Sequence, residues 1–367
     1  MLIIIFLALF ALIMIEIITK QQKKQDKHPY ATITRQPQSL SAIFVVLPMY
    51  RPRNPMSCVK RLFENAAFPE RIHVGILEHN SADAPSIADT TAYHFKYKRN
   101  SESSELFGAG FARQWIVDNF YDGERYILFI GQNSQMSKDW DTILIESLEC
   151  THVIGGHIVS QFPCVATLDR LPSTFPVFKN FKKNIPVFKG RFVVGEYRQP
   201  QPSALASWQC LFGTAAVLKN ALAIHENSLP FLNSTEADWL LSSEIWSQGF
   251  RVFIPSESAV ALAEKSRRHS FDATLLHHRK LKQFTVDALD AIFAQKKHNS
   301  LYCLKLHTRQ TYTVKDFMKW LRVNPAKCQI AGQTMMGLMP EYTQNEIMWK
   351  YGSLQRFKEL KKTISDD

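Results

Sequence analysis

The sequence predicts an α/β fold built on a parallel sheet covered on both faces. Two observations carry that expectation. Apolar, β-branched runs alternate with segments of helical spacing through the first half of the 367-residue chain, the pattern of strands buried by crossover helices. The apolar run "RYILFI" then ends abruptly in the small amide and hydroxyl residues of "GQNSQ". That is how a buried strand delivers a loop to the carboxyl edge of an open sheet, where α/β folds place their ligands.

An apolar segment precedes this fold. Leu2 to Ile18 is interrupted only by Glu16, about the length that spans a bilayer, at the short end. A cleaved signal peptide needs a basic start and a small-residue cleavage site, and neither is present. The reading is a single-pass transmembrane anchor over 1–19, inserted through residues 2–18, and a polar stalk over 20–40. Lys20, Lys23, Lys24 and Lys27 follow the span and no Lys or Arg precedes it. The positive-inside tendency then turns the large domain toward the cytosol or nucleoplasm. The sequon Asn233-Ser234-Thr235 speaks for an ER or Golgi lumen instead, and a viral envelope is a third location.

The elements follow in order. "SAIFVVLPMY" is a buried first strand stopped by Pro48, and "SCVKRLFENA" a helix with Val59, Leu62 and Phe63 on one face. "RIHVGILEHN" is the second strand. "LFGAGFARQWIVDNFY" opens on glycine and continues with helical spacing of Ala112, Trp115, Ile116 and Phe120. "RYILFI" is the third strand and "DWDTILIESLE" the next helix. From about 165 to 205 prolines punctuate the chain, as in a long irregular excursion. Order returns with "WQCLFGTAAVL" and with "EADWLLSSEIWSQGFRVFIP", a helix stopped near Gly249 and followed by a strand. An α/β domain over 41–270 is expected, then a mostly helical, basic region over 271–367.

The formal net charge is +11, carried in short clusters such as Lys179 to Lys189 and Lys265 to Arg268. Such clusters are either solvated surface or a face that meets anions. Zinc spacings, recognition helices and aromatic-interleaved basic repeats are missing, which argues against nucleic acid as partner. Six cysteines, none in a CxxC, make neither a metal motif nor a disulfide framework.

Three blocks together resemble the eukaryotic and viral GlcNAc-transferase family, whose best-known members modify hydroxyproline of a cytosolic ubiquitin-ligase subunit. In "IFVVLPMYRPRNPMSCVKRLFENAAFPERIHVGIL", Tyr50, Arg51, Pro69, Glu70 and Arg71 match the family's opening, and Pro52 replaces its Asp. In "GAGFARQWIVDNFYDGERYILFIGQNSQMSKDWDTILI", Ala112, Arg113, Gly123, Glu124, Tyr126, Met136, Trp140 and Asp141 match. "LPFLNSTEADWLLSSEIWSQGFRVFIP" resembles the third block, and "TRQTYTVKDFMKWLRVN" its C-terminal segment. The resemblance implies a GT-A fold, a nucleotide-sugar-binding α/β domain with an appended acceptor region. It also implies a UDP-sugar donor, UDP-GlcNAc first, and a hydroxyl acceptor on protein or glycan.

The departures concern the metal. Where the family has Asp-Ser-His, the ligands of a divalent cation on the donor diphosphate, this chain has Asn133-Ser134-Gln135. The family's later His pair falls near Ala263-Glu264. Neutral amides are poor ligands for Mn2+ or Mg2+, so no metal site is expected. Basic residues of "AEKSRRH", Arg267 and Arg268 above all, would offset the diphosphate charge instead. The donor set is then Tyr50 and Arg51 at the base, Arg113, Asn133, Ser134, Gln135, Arg267 and Arg268. Asp238, or Glu236 two residues before it, stands where a carboxylate can take a proton from an acceptor hydroxyl. Each residue also has a plainer reading: Asn133–Gln135 as a polar turn, Asp238 as a helix N-terminal acid, "AEKSRRH" as a basic loop. The rival to an active transferase is an inactive GT-A scaffold that binds at a membrane or viral envelope.

Overall fold

The computed structural model describes residues 41–50, 52, 54–80, 93–101, 109–152, 157–165, 173–182, 185–192, 199–222, 235–262, 314–324 and 327–335. Among them, no helix is long and apolar enough to cross a membrane. The expected anchor and stalk lie outside the described residues.

The strands of the main sheet are β1 (Ile43–Tyr50), β2 (Ile72–Asn80), β3 (Phe95–Ser101), β4 (Tyr126–Ile130), β6 (Ile158–Ser160), β9 (Gln201–Ser203), β10 (Cys210–Thr214) and β11 (Val252–Ile254). They lie in the order β3-β2-β1-β4-β10-β6-β11-β9. β1 pairs in parallel with both β2 and β4, and β2 with β3. β10 is inserted antiparallel between β4 and β6, β11 is parallel to β6, and β9 closes the edge antiparallel. A short ribbon, β5 (Ser134–Met136) with β12 (Val260–Leu262), stands apart from the sheet.

The alternation along each strand sorts the core into two layers. Phe44 and Val46 of β1, Ile127 and Phe129 of β4, and Leu211 of β10 share one buried cluster. There they meet Ala112, Ile116 and Val117 of helix α2 (Ala109–Phe120) and Trp239, Leu240 and Leu241 of α5 (Thr235–Ser247). Ile43, Val45, Leu47 and Met49 point the other way. They pack on α1 (Pro55–Glu64) through Val59 and Leu62, and on α3 (Trp140–His152) through Trp140 and Leu144. Helix α4 (Ala215–Leu222) follows β10. The expected parallel sheet, covered on both faces, is present, with β10 and β9 as antiparallel insertions.

Two sequence expectations need correction. β1 does not stop at Pro48 but runs on to Tyr50. Its pairing with β4 ends at Val46, so the proline lies where the strand has only one neighbour and a missing N–H is tolerated. The excursion over 165–205 is not wholly irregular. It contains a hairpin, β7 (Thr174–Lys182) with β8 (Ile185–Phe192). A two-stranded ribbon offers each strand an open edge, so Pro176 and Pro186 fit within it. Gly190 is required there, because a Cβ would fall 1.8 Å from the Phe162 carbonyl oxygen. Within 271–367 the described part holds α6 (Val314–Trp320), the pair β13 (Val323–Asn324) and β14 (Gln329–Ile330), and α7 (Gly332–Met335).

Candidate active site at the carboxyl edge of the sheet

The chain winds from β1 outward through β2 to β3, then returns to β4 on the other side of β1. The crevice between the carboxyl ends of β1 and β4 is therefore a topological switch point, the place where open α/β sheets bind ligands. Across it the Tyr50 N–H donates to Gln132 Oε1 at 2.6 Å. The loop after β4 turns through Ser134 N–H to Gly131 O at 3.1 Å. It leaves Asn133 exposed, Ser134 buried and Gln135 half-buried. The Ser134 hydroxyl has no hydrogen-bond partner among the described residues. Cys58, behind the loop, donates its thiol to Ser134 O at 3.6 Å, and burial pushes that thiol up to about 12. It is an inert packing group.

The ribbon fixes where this loop goes. Ser134 pairs with Leu262 and Gln135 with Ala261, so the chain that continues into residues 263–270 starts beside Asn133–Gln135. Gln161 holds the ribbon from below. Fully buried, its amide nitrogen donates to Thr174 Oγ1 at 2.9 Å, to Val260 O at 3.0 Å and to Ser258 Oγ. Its oxygen accepts from the Ala259 N–H at 3.1 Å. No spacing or motif marked Gln161 in the sequence.

One strand over, Glu78 is completely buried. It accepts from Tyr97 OH, from Arg99 Nη2 at 3.2 Å and from Asn80 Nδ2 at 2.8 Å. His79, opposite Tyr50 in the register, has its pKa lowered by burial, which favours neutral imidazole. Sequence reasoning missed both residues, because an acid inside an apolar strand carries no signal until its partners on the next strand are known.

The second group lies beside the end of β4, where β10 and α5 begin. Asp238, in the first turn of α5, accepts from the Trp208 N–H at 2.8 Å and from Ser207 Oγ at 3.3 Å. The Trp208 ring meets Phe129 edge-on, with centroids 5.4 Å apart. The Arg113 guanidinium carbon lies 4.7 Å from the Trp208 ring centre. Burial pushes Arg113 down to about 10, with the Asp238 charge opposing the shift. The structure thus brings Arg113 and Asp238 together through Trp208, whose role the sequence had not indicated, and it joins Tyr50 to the 131–135 loop. Glu236 lies on α5, but its side chain, like Arg51, Arg267 and Arg268, falls outside the described residues.

The described residues of the 131–135 loop do not fit a divalent cation. Asn133 and Gln135 offer neutral carbonyl oxygens, Gln132 is engaged by Tyr50, and Glu78 is committed to Tyr97, Arg99 and Asn80. Among the described residues of this loop, none supplies the charged oxygens such an ion takes when it bridges phosphates.

The model of a family described as "Glycosyltransferase (GlcNAc)" matches residues 42–106 and 97–321. The chain belongs to this GlcNAc glycosyltransferase family. Among solved structures, GalNAc-T7 with UDP, GalNAc and Mn2+ matches with a TM-score of 0.52 at 10% identity, covering 78% of this chain and 57% of its own. This chain thus spans little more than half of that one, and the likeness speaks to the shared glycosyltransferase fold. Residues 1–349 of S. aureus TarS match with a TM-score of 0.41 at 12% identity, covering 86% of this chain and 80% of that one. The same fragment in complex with UDP-GlcNAc matches with a TM-score of 0.43 at 13% identity, with the same coverage. Curated protein sequences contain no match.

Proposed function

We propose that this member of the GlcNAc glycosyltransferase family transfers GlcNAc, or a related sugar, from a UDP-sugar to a hydroxyl of a protein or glycan. The observation that carries the reading is the placement of the Asp238 carboxylate at the sheet edge that also holds the β1/β4 crevice. UDP would lie in the crevice, its base toward Tyr50 and Arg51 and its diphosphate along Asn133, Ser134 and Gln135. Asp238, or Glu236 in its stead, takes the proton from the acceptor hydroxyl. The hydroxyl oxygen bonds to the anomeric carbon, the bond from that carbon to the diphosphate breaks, and UDP leaves with the electron pair. Arg267 and Arg268 lie five and six residues beyond Leu262, within reach of the diphosphate along a chain spanning at most about 3.5 Å per residue. Their charge offsets the leaving group's in place of a cation. Residues 2–18 anchor the domain to a membrane, with the domain on the cytosolic or nucleoplasmic side.

A second reading is an inactive scaffold. What favours it is that both Asp238 oxygens already serve the 207–208 loop, and that the described 131–135 loop offers no charged metal ligand. Calorimetry with UDP-GlcNAc, followed by product analysis with the Asp238→Asn variant, tests the proposal. Saturable UDP-GlcNAc binding and transfer that falls in the variant are expected. Absence of any UDP-GlcNAc binding would hand the case to the scaffold.

A further inference from the structure

Arg113 is the unexplained group of this edge. It is only 8% exposed, its Nε is sealed from solvent without a partner, and it makes no hydrogen bond or ion pair among the described residues. A guanidinium carries five N–H donors, and buried donors in native proteins are nearly always satisfied. An arginine held over an aromatic ring without a hydrogen-bond partner among the described residues is suited to receive an oxyanion, because its planar fork matches a carboxylate. Its neighbour is Asp238, reached through Trp208.

The surroundings point to the same charge. The segment of the β7–β8 hairpin, 174–192, contains Lys179, Lys182, Lys183, Lys189 and Arg191 and no acidic residue. The hairpin packs on α5. Trp239, the residue after Asp238, donates its indole N–H to Pro186 O at 2.6 Å and meets the Phe188 ring at 5.7 Å. The hairpin is a two-stranded ribbon that pairs with no third strand among the described residues. An extended polypeptide can add to such an edge through its backbone.

We propose that the acceptor is an acidic polypeptide segment, with a carboxylate seated on Arg113 beside the hydroxyl that reacts at Asp238. The inference rests on the reading of Asp238 as the base. Its test uses the full-length protein and two variants, Arg113→Met and Arg113→Lys, with synthetic peptides carrying Ser, Thr or hydroxyproline flanked by Glu, by Gln or by phosphoserine. Wild type should transfer to Glu-flanked peptides at least about tenfold better than to Gln-flanked ones, about 1.4 kcal/mol. Arg113→Met should erase that preference, so that Glu- and Gln-flanked peptides become equal acceptors. Its melting temperature without ligand should equal or exceed that of wild type, because a buried donor without a hydrogen-bond partner among the described residues is gone. Arg113→Lys keeps the charge without the fork and gives an intermediate preference, so the proposal stays open to refutation if the Met variant fails to fold. Lack of preference in wild type, a preference that survives both substitutions, or transfer to none of the peptides while donor hydrolysis proceeds overturns the proposal. So does transfer to phosphoserine-flanked peptides alone. Loss of UDP-GlcNAc affinity in Arg113→Met reassigns the residue to the donor. Failure of wild type to bind UDP-GlcNAc sinks the transferase reading itself, a separate result.

Discussion

Two arginine–aspartate couples among the described residues differ in every respect except residue type. Arg71 and Asp141 meet directly, Nη2 to Oδ2 at 2.7 Å, with side chains 4% and 0% exposed. Asp141 also accepts from Arg71 Nε at 2.9 Å and from the N–H groups of Ala67 at 2.7 Å and Phe68 at 3.1 Å. Arg71 Nη2 reaches Thr142 Oγ1 at 3.1 Å. The couple pins the turn that enters β2 to the start of α3. Arg113 and Asp238 share a neighbourhood but no hydrogen bond, and the arginine has no hydrogen-bond partner among the described residues. The first couple is saturated by its own protein, while the second leaves donors for something else. All but Asp238 matched the family block by block, so a motif match places a residue without telling what it does.

Cutting the saturated couple should have the largest effect. Asp141→Ala leaves Arg71 buried without a counter-charge, which costs about 3–5 kcal/mol. Thermal unfolding should move down by about 5–15 °C. A shift of a degree or two would mean that the couple is not the architectural pin its geometry describes.

The opposite pattern is expected at Asp238. Asn keeps an oxygen for the Trp208 N–H and an amide for Ser207 Oγ, so Asp238→Asn preserves the anchor and removes the base. Transfer to acceptor should fall by about 10²–10⁴, with unfolding within about 1 °C of wild type. If transfer survives, Asp238 is an anchor of the same kind as Asp141 and the contrast between the couples disappears.

The contrast also shows what the sequence could reveal. The strand–helix alternation gave β1, β2, β4 and their covering helices, because parallel buried strands write continuous apolar runs. The switch-point loop was legible because "RYILFI" ends in residues that cannot continue a strand. The hairpin over 174–192 was hidden by its prolines, which only a two-stranded ribbon tolerates twice. Trp208, Glu78 and Gln161 were hidden for another reason. Each acquires meaning from a partner 30 or more residues away or on a neighbouring strand, as the 99-residue reach from Gln161 to Val260 illustrates. No local period records such a pairing.

A smaller effect sharpens the role of Arg113. If Arg267 and Arg268 offset the diphosphate charge, the donor does not need the cation beside Asp238. The double variant Arg267→Ala with Arg268→Ala should then weaken UDP binding by about tenfold, about 1.4 kcal/mol. Uridine, which has no phosphate, should bind the variant as it binds wild type. Unchanged UDP affinity would show that the charge is met elsewhere, and Arg113 would become the first alternative.

The smallest effect concerns metal removal. Transfer measured in excess chelator should stay within about twofold of transfer in Mn2+, a difference of about 0.4 kcal/mol. The reason lies in the donor chemistry of the loop. A divalent ion between phosphates gains its affinity from anionic oxygens and loses much of it when they are replaced by neutral amides. Asn133 and Gln135 are such amides, and the pairing of Gln135 with Ala261 and Ser134 with Leu262 fixes the loop backbone. Glu78 cannot move in without abandoning Arg99 and Tyr97. Restoring the family's residues makes the test two-sided. Asn133→Asp with Gln135→His should create a response to Mn2+ where wild type has little. A wild type that is silent without Mn2+ and fully active with it would show that the ligands come from outside this loop.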